Sequence, residues 1–337
     1  AAYEPGSGTT IMSYAGICAP NVQNTADGYF HNKSYNDIYE FSVNGNGNSC
    51  ATVTETGNSP PVISMPEGEF SIPVSTPFAL TGSATDADGD ALTYSWEQFD
   101  LGPATDDSDA DLTNPSGNQP IFRSWPATSD STRVFPRLQD LASGQSTIGE
   151  LLPTYGRDLS FKLTVRDNQA GGGGVADDLV SFSVTAQAGP FRLTNQPSGY
   201  VRDTAQTITW DVADTDQAPV NAGQVDILIS LDGGLTYPDV LASDVDNDGS
   251  HEVMIPDVNS STARIKVQAS ANIFFAVSTA DIAIESDGDG DGVSDSADVF
   301  PDDPEEWADI DNDGIGDNAD TDDDNDGVPD ASDNCPV

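Results

Sequence analysis

Positive charge is what this sequence has least of. Lys and Arg together number 11 against 57 Asp and Glu, giving a formal net charge of -46 over 337 residues. Phosphate binding requires basic surface, so nucleic acid is not an expected partner, and an anionic membrane surface repels such a chain. Histidine is almost as scarce. His31 and His251 stand far apart and neither lies in a His-Glu-x-x-His motif, so the residues argue for no Ser-His-Asp triad and no histidine-built zinc site. No apolar run reaches the ~18 residues that read as a membrane-spanning helix. The opening stretch, Ala1-Ala2-Tyr3-Glu4-Pro5, has neither the basic nor the apolar region of a signal peptide, so the chain reads as a processed product or a fragment.

Cysteine is limited to Cys18, Cys50 and Cys335. Cys18 and Cys50 could close a loop, and an extracellular setting favours a disulfide between them over two free thiols. Cys335 is left over, which suggests a partner elsewhere.

What the sequence has in abundance is carboxylate in a pattern. Residues 286–337 hold 20 of the acids and no Lys or Arg. The acids recur as Asp287, Asp289, Asp291, Asp295 and Asp298; as Asp309, Asp311, Asp313, Asp317 and Asp320; and as Asp322, Asp324, Asp326, Asp330 and Asp333. Within each run they occupy the first, third, fifth, ninth and twelfth places, with Gly292, Gly314 or Gly327 at the sixth. That is the oxygen spacing of a calcium loop, in which Gly makes the sharp turn. A disordered acidic tail need not keep Gly at the same place in three loops. The segment therefore reads as a structure built on several calcium ions and folded only with metal bound. Asp86-x-Asp88-Gly-Asp90 fits either a further calcium site or an ordinary acidic turn. Asp244-x-Asp246-x-Asp248-Gly249 begins like a calcium loop, but Ile255 stands at its twelfth place, so the site is incomplete.

Four regions follow from composition and periodicity. Residues 1–57 are irregular and rich in Gly and Asn, with a short helix expected around Ser34–Phe41. They are too few to bury much core and are expected to pack on something outside the chain. Residues 58–187 begin at the linker Asn58-Ser-Pro-Pro61 and alternate apolar and polar residues at Phe78–Leu80, Leu92–Trp96, Phe161–Val165 and Val180–Val184. That pattern predicts an antiparallel β-sandwich, with 101–157 as a long polar insertion. Residues 188–285 predict a second sandwich, with strands at Thr207–Val212, Val225–Ser230, Ala263–Val267 and Ile282–Ile284 and a hairpin turn at Asp232-Gly-Gly234. Residues 286–337 are the calcium segment. The expected fold class is mostly β: two tandem immunoglobulin-like sandwiches between an irregular N-terminal piece and a calcium-wrapped tail.

The run Tyr3-Glu-Pro-Gly-Ser-Gly-Thr-Thr-Ile-Met12-Ser-Tyr-Ala-Gly-Ile-Cys18, with Asp27-Gly-Tyr-Phe-His31 and Cys50-Ala51, resembles the Met-turn region of secreted bacterial reprolysin-like zinc metallopeptidases, which are metzincins. The likeness extends through Thr81–Asp90, Leu92–Gln98, Thr164–Asn168 with Gly171–Gly174, and Ala188–Phe191, covering roughly residues 1–285. The tail resembles thrombospondin type 3 repeats, and Phe300–Trp307 is similar to a linker in surface proteins of marine-type Gram-negative bacteria. The resemblance implies residues 1–57 as the end of a peptidase domain, with Met12 as the Met-turn residue beneath a zinc ion held by an upstream motif this chain lacks. Alone, the chain is then inactive. The implied role is a non-catalytic spacer or binding region at the surface of a Gram-negative bacterium, with calcium and the upstream half as partners. The alternative is a structural or adhesive protein, a filament subunit whose partners are neighbouring copies. A third reading is a carbohydrate- or protein-binding module using Ser124-Trp125-Pro126 on a surface polymer or protein ligand.

Overall fold

Alternating apolar residues become strands wherever one face can be buried. The computed structural model describes residues 1–50, 52–66, 68–104 and 110–332, with only the backbone of Cys50, Ala110 and Asp111. The first sandwich contains β1 (Val62–Ser64), β2 (Ser71–Pro73), β3 (Phe78–Thr81), β4 (Ser83–Thr85), β5 (Thr93–Gln98), β6 (Thr132–Phe135), β7 (Arg157–Arg166) and β8 (Val175–Thr185). One sheet runs β2-β8-β7-β5, and the pairs β1-β4 and β3-β6 face it. Five phenylalanines interlock at its centre. Phe78 stacks on Phe135 at 4.8 Å, Phe135 lies 4.6 Å from Phe161, and Phe122 and Phe182 close the cluster. Such aromatic pairs contribute about 0.5–1.5 kcal/mol each beyond their buried area.

The stretch 101–157 is not a peripheral insertion. It supplies β6, two short helices, α2 (Ala110–Thr113) and α3 (Leu138–Ser143), which follow the N-terminal helix α1 (Asn32–Tyr39), and the core residues Ile121, Phe122 and Phe135. Its polar composition hides a strand in which only Val134 and Phe135 are apolar.

The expected helix near Ser34–Phe41 is α1, followed by a π-helical turn, Glu40–Asn44. The N-terminal segment packs against the first sandwich, contrary to the expectation of an outside partner. The backbone of Ala2 pairs with that of Gly102, and the Asn32 backbone N–H donates to Glu97 Oε2 at 2.8 Å. Asn32 Nδ2 donates to Thr164 Oγ1 at 2.8 Å. Glu97 and Thr164 stand on the outer face of the β5-β7 pair and are nonetheless fully buried, because this segment covers them.

The second sandwich contains β9 (Arg192–Leu193), β10 (Gly199–Val201), β11 (Ala205–Asp211), β12 (Gln224–Ser230), β13 (Asp239–Asp246), β14 (Ser250–Met254), β15 (Ser260–Ala269), β16 (Phe275–Val277) and β17 (Ile282–Glu285). Its sheets run β10-β17-β15-β12-β13, with β16 also on β15, and β14-β11-β9. The Asp232 turn forms as expected. Gly233 and Gly234 take φ of +79° and +85°, which side chains with a Cβ rarely adopt. The Asp232 carboxylate accepts from the backbone N–H groups of Leu235 and Thr236, each at 2.9 Å.

The two sandwiches share one contiguous cluster of buried residues. Phe274 reaches from the second to pair with the backbone of Phe78, and its ring meets Phe191 at 5.2 Å. Ala79 N donates to Ile273 O and Phe275 N to Pro77 O, both at 2.9 Å. Among the described residues of the tail, the one helical element is the 3₁₀ turn Asp330–Ser332.

Candidate calcium-binding sites

The tail repeats one hydrogen-bond scaffold three times. The first Asp of each loop (Asp287, Asp309, Asp322) accepts through Oδ2 from the N–H of the glycine five places on, at 2.9, 3.0 and 3.0 Å. The fifth (Asp291, Asp313, Asp326) accepts through Oδ1 from the N–H two places on, at 2.7, 2.9 and 2.8 Å. The third (Asp289, Asp311, Asp324) accepts from the N–H of the fifth. The glycines at the turn sit at φ of +100°, +91° and +92°, where Gly is favoured.

The ninth residue does something different. Asp295, Asp317 and Asp330 accept through Oδ1 from the N–H of the loop's second residue, at 2.6, 2.9 and 3.0 Å. Their own N–H groups donate to the carbonyls of Ser286, Ala308 and Thr321. Each therefore closes its loop as a clasp. The first, third and fifth carboxylates are the ones brought together, with ligand atoms within 4.8 Å of one another in all three loops. Of the twelfth residues, Asp298 caps Phe300 N at 2.7 Å, Asp320 caps Thr321 N at 2.6 Å, and Asp333 lies outside the described residues.

The spare oxygens point to a cation. Asp289 Oδ2, Asp291 Oδ2 and Asp322 Oδ1 are buried without a hydrogen-bond partner. Burial, reinforced by Asp291, Asp298 and Asp287, raises the pKa of Asp289. Burial together with Asp326, Asp324 and Asp330 does the same to Asp322. An oxygen-only donor set fits a hard divalent cation, and calcium accepts irregular oxygen geometry more readily than magnesium. Asp323, which the spacing did not single out, has a buried, unpartnered Oδ1. Its pKa is raised by burial and then by Asp330, Asp317, Asp320 and Asp311 of two adjoining repeats.

Asp86, Asp88 and Asp90 form a fourth group within 4.8 Å. Asp86 Oδ1 accepts from the N–H groups of Asp88 and Asp90, at 2.9 and 3.0 Å. Three residues missed in the sequence, Asn58, Ser59 and Asp167, lie beside them. Asn58 Nδ2 donates to Asp167 Oδ2 at 2.7 Å, and Ser59 N donates to Asp88 Oδ2 at 2.7 Å. Burial, then Asp86, Asp167 and Asp88, raises the pKa of Asp90. Asp86 Oδ2, Asp90 Oδ2 and Asn58 Oδ1 are buried and unpartnered. No local spacing could connect segments so far apart in the chain.

Asp244, Asp246 and Asp248 are not gathered. Asp244 and Asp246 lie on the edge strand β13, and the motif forms the turn into β14. Its inward residue is Asn247, which accepts from Trp210 Nε1 at 2.8 Å and donates to Thr215 Oγ1 and Ala222 O at 2.9 and 2.8 Å.

Met12 is 65% exposed. His31 is buried, with Nδ1 accepting from Lys33 N and Nε2 facing Gln98 O at 3.3 Å, so both ring nitrogens are occupied. His251 is half-buried on β14. Cys18 is exposed with a free thiol, the side chain of Cys50 is not described, and Cys335 lies outside the described residues. Trp125 lines a cleft of about 430 Å³ with Tyr94, Pro126 and Leu235. Its ring is already engaged by Arg123 and Arg137, at 4.0 and 4.3 Å, and its Nε1 donates to Glu150 Oε1.

A profile of the thrombospondin type 3 repeat matches residues 308–337. The first loop lies outside that match and shares the scaffold of the second and third. Among solved structures, the chain is similar to the tandem Ig repeats of Dlar, at 12% identity over 67% of this chain and 98% of that one, with a TM-score of 0.29. It is similar to the Ig1-2 module of the Drosophila receptor protein tyrosine phosphatase DLAR, at 11% identity over 67% and 100%, with a TM-score of 0.28. It is also similar to the FN1-FN3 domains of chicken CNTN1, at 10% identity over 64% and 65%, with a TM-score of 0.23. Likenesses at these scores carry no inference about function. No curated protein matches the chain. No helix of the described residues is long and apolar enough to cross a membrane.

Proposed function

We propose that this chain is a calcium-stiffened extracellular module, in which two joined sandwiches act as spacer and binding surface and the carboxylate repeats form a stalk. The observation that carries this is the scaffold repeated in three loops, which gathers the first, third and fifth carboxylates of each and leaves Asp289 Oδ2, Asp291 Oδ2 and Asp322 Oδ1 buried without a hydrogen-bond partner. The match to a thrombospondin type 3 repeat supports it. Asp86, Asp90, Asp167 and Asn58 would hold a further calcium at the end of the first sandwich, beside the linker Asn58–Pro61. An extracellular location suits calcium loops, because millimolar calcium is available there.

Two finer readings remain within this proposal. Descent from a zinc metallopeptidase rests on the resemblance of residues 1–57. Among the described residues the acidic groups contain no histidine, and both ring nitrogens of His31 have hydrogen-bond partners. Assembly into a filament or adhesive surface, on a Gram-negative cell, rests on the tandem architecture.

The test is calcium titration of the full chain by calorimetry, paired with limited proteolysis in chelator. The expected result is several calcium ions per chain, with residues 286–332 cleaved rapidly once calcium is removed while the sandwiches resist. A tail equally resistant in excess chelator would refute the reading.

A further inference from the structure

Strand β15 turns one face toward the first sandwich, and the alternate residues Arg264, Lys266 and Gln268 project from it. The outer two have polar partners. Arg264 donates to Asp281 Oδ1 at 2.7 Å, to Ser278 O at 3.0 Å and across the interface to Ala142 O at 3.0 Å. Gln268 donates to Asp226 Oδ2 at 3.3 Å. Lys266 between them has no carboxylate within ion-pair distance among the described residues. The other two lysines, Lys33 and Lys162, pair with Asp37 and Asp177. Arg123 and Arg166 likewise have no ion pair among the described residues, but Lys266 is the lysine of the three without one.

Lys266 lines a crevice of about 330 Å³ between the sandwiches, opposite Pro66, Thr81 and Val134. Its ammonium lies 4.4 Å from the centre of the Phe275 ring and 5.7 Å from that of Tyr237. The rings offer partial compensation for the charge, less than an anion would. Burial lowers its pKa to about 8. The volume falls at the small end of ligand pockets, which run from about 300 Å³.

We propose that this crevice is a binding site for a small organic monocarboxylate, whose anionic group pairs with Lys266 and whose apolar body rests against Phe275, Pro66 and Val134. This goes beyond the calcium reading and uses none of its residues. The acidity of the whole chain disfavours anions at long range, so the site selects by local pairing and shape.

Butyrate is the probe. In the full chain with calcium, labelled with ¹³C at lysine, butyrate is titrated at constant ionic strength while the ε-methylene resonances of Lys33, Lys162 and Lys266 are followed. The expected result is a saturable shift at Lys266 with the other two unmoved. In calorimetry, Lys266→Met, which keeps most of the apolar stem, is expected to weaken binding at least about tenfold. No shift at Lys266, or equal unsaturating shifts at all three lysines, would overturn the proposal. That titration decides even where the variant fails to fold.

Discussion

Replacing Asn247 by Ala is expected to destabilise the joined sandwiches by about 3–7 kcal/mol. Asn247 is 5% exposed, and its amide holds Trp210 Nε1, Thr215 Oγ1 and Ala222 O. Thr215 keeps its bond to Val212 O, so truncation strands two buried groups, the indole N–H and the Ala222 carbonyl. Each stranded group costs about 1–3 kcal/mol, and the small cavity adds roughly 1 kcal/mol more. Because the buried cluster spans both sandwiches, they should melt together, and about 2–4 °C is lost per kcal/mol in a unit of that size. Calorimetry in calcium buffer should therefore show a melting temperature lower by roughly 6–28 °C. Asp246→Ala and Asp248→Ala change exposed residues beside it and should stay within about 0.5 kcal/mol of wild type, with or without calcium. The reasoning fails if Asn247→Ala is neutral, or if Asp248→Ala is harmful only when calcium is present, which would make the turn a metal loop after all.

Two further outcomes follow from the same geometry. Asp291→Asn removes a charge from the first calcium cluster and should lower that loop's affinity about tenfold. Asp295→Asn keeps an oxygen to accept from Gly288 N and should leave affinity nearly unchanged; equal damage from the two in calcium calorimetry would contradict the clasp assignment. The Asp232 carboxylate, held by Ser230, Thr236 and Leu235, lies well below the usual carboxylate range. Its folded pKa is depressed, so its stabilisation is present above the unfolded value of about 3.9 and is lost as pH falls through the folded value. A carboxyl-carbon NMR titration should show a midpoint below that of an ordinary Asp, and a midpoint near 4 would refute it.

Much of this was legible in the sequence because the signals are local. The loop glycines and their flanking acids lie within a few residues of one another, and the alternation at Phe161–Val165 needs only one buried face. The hairpin at Asp232-Gly-Gly234 is legible for the same reason. What was not legible depends on distant segments meeting. Asn58 and Asp167 reach the Asp86 group only once the sheet has formed. Asn247 reads as one place in an acidic run until Trp210 is brought beside it. Strand β6 was hidden by Thr132 and Arg133. The ninth-position acids match calcium spacing, and their hydrogen bonds to the N–H of the loop's second residue are a further role that a spacing rule does not reveal.

In each sandwich an early strand lies parallel to the last, β2 beside β8 and β10 beside β17. Parallel neighbours run in the same direction, so the chain enters near one end of the pair and leaves from the other. A pull on the two ends of a sandwich therefore slides these strands past each other and loads their hydrogen bonds together, where an antiparallel terminal pair would peel apart one bond at a time.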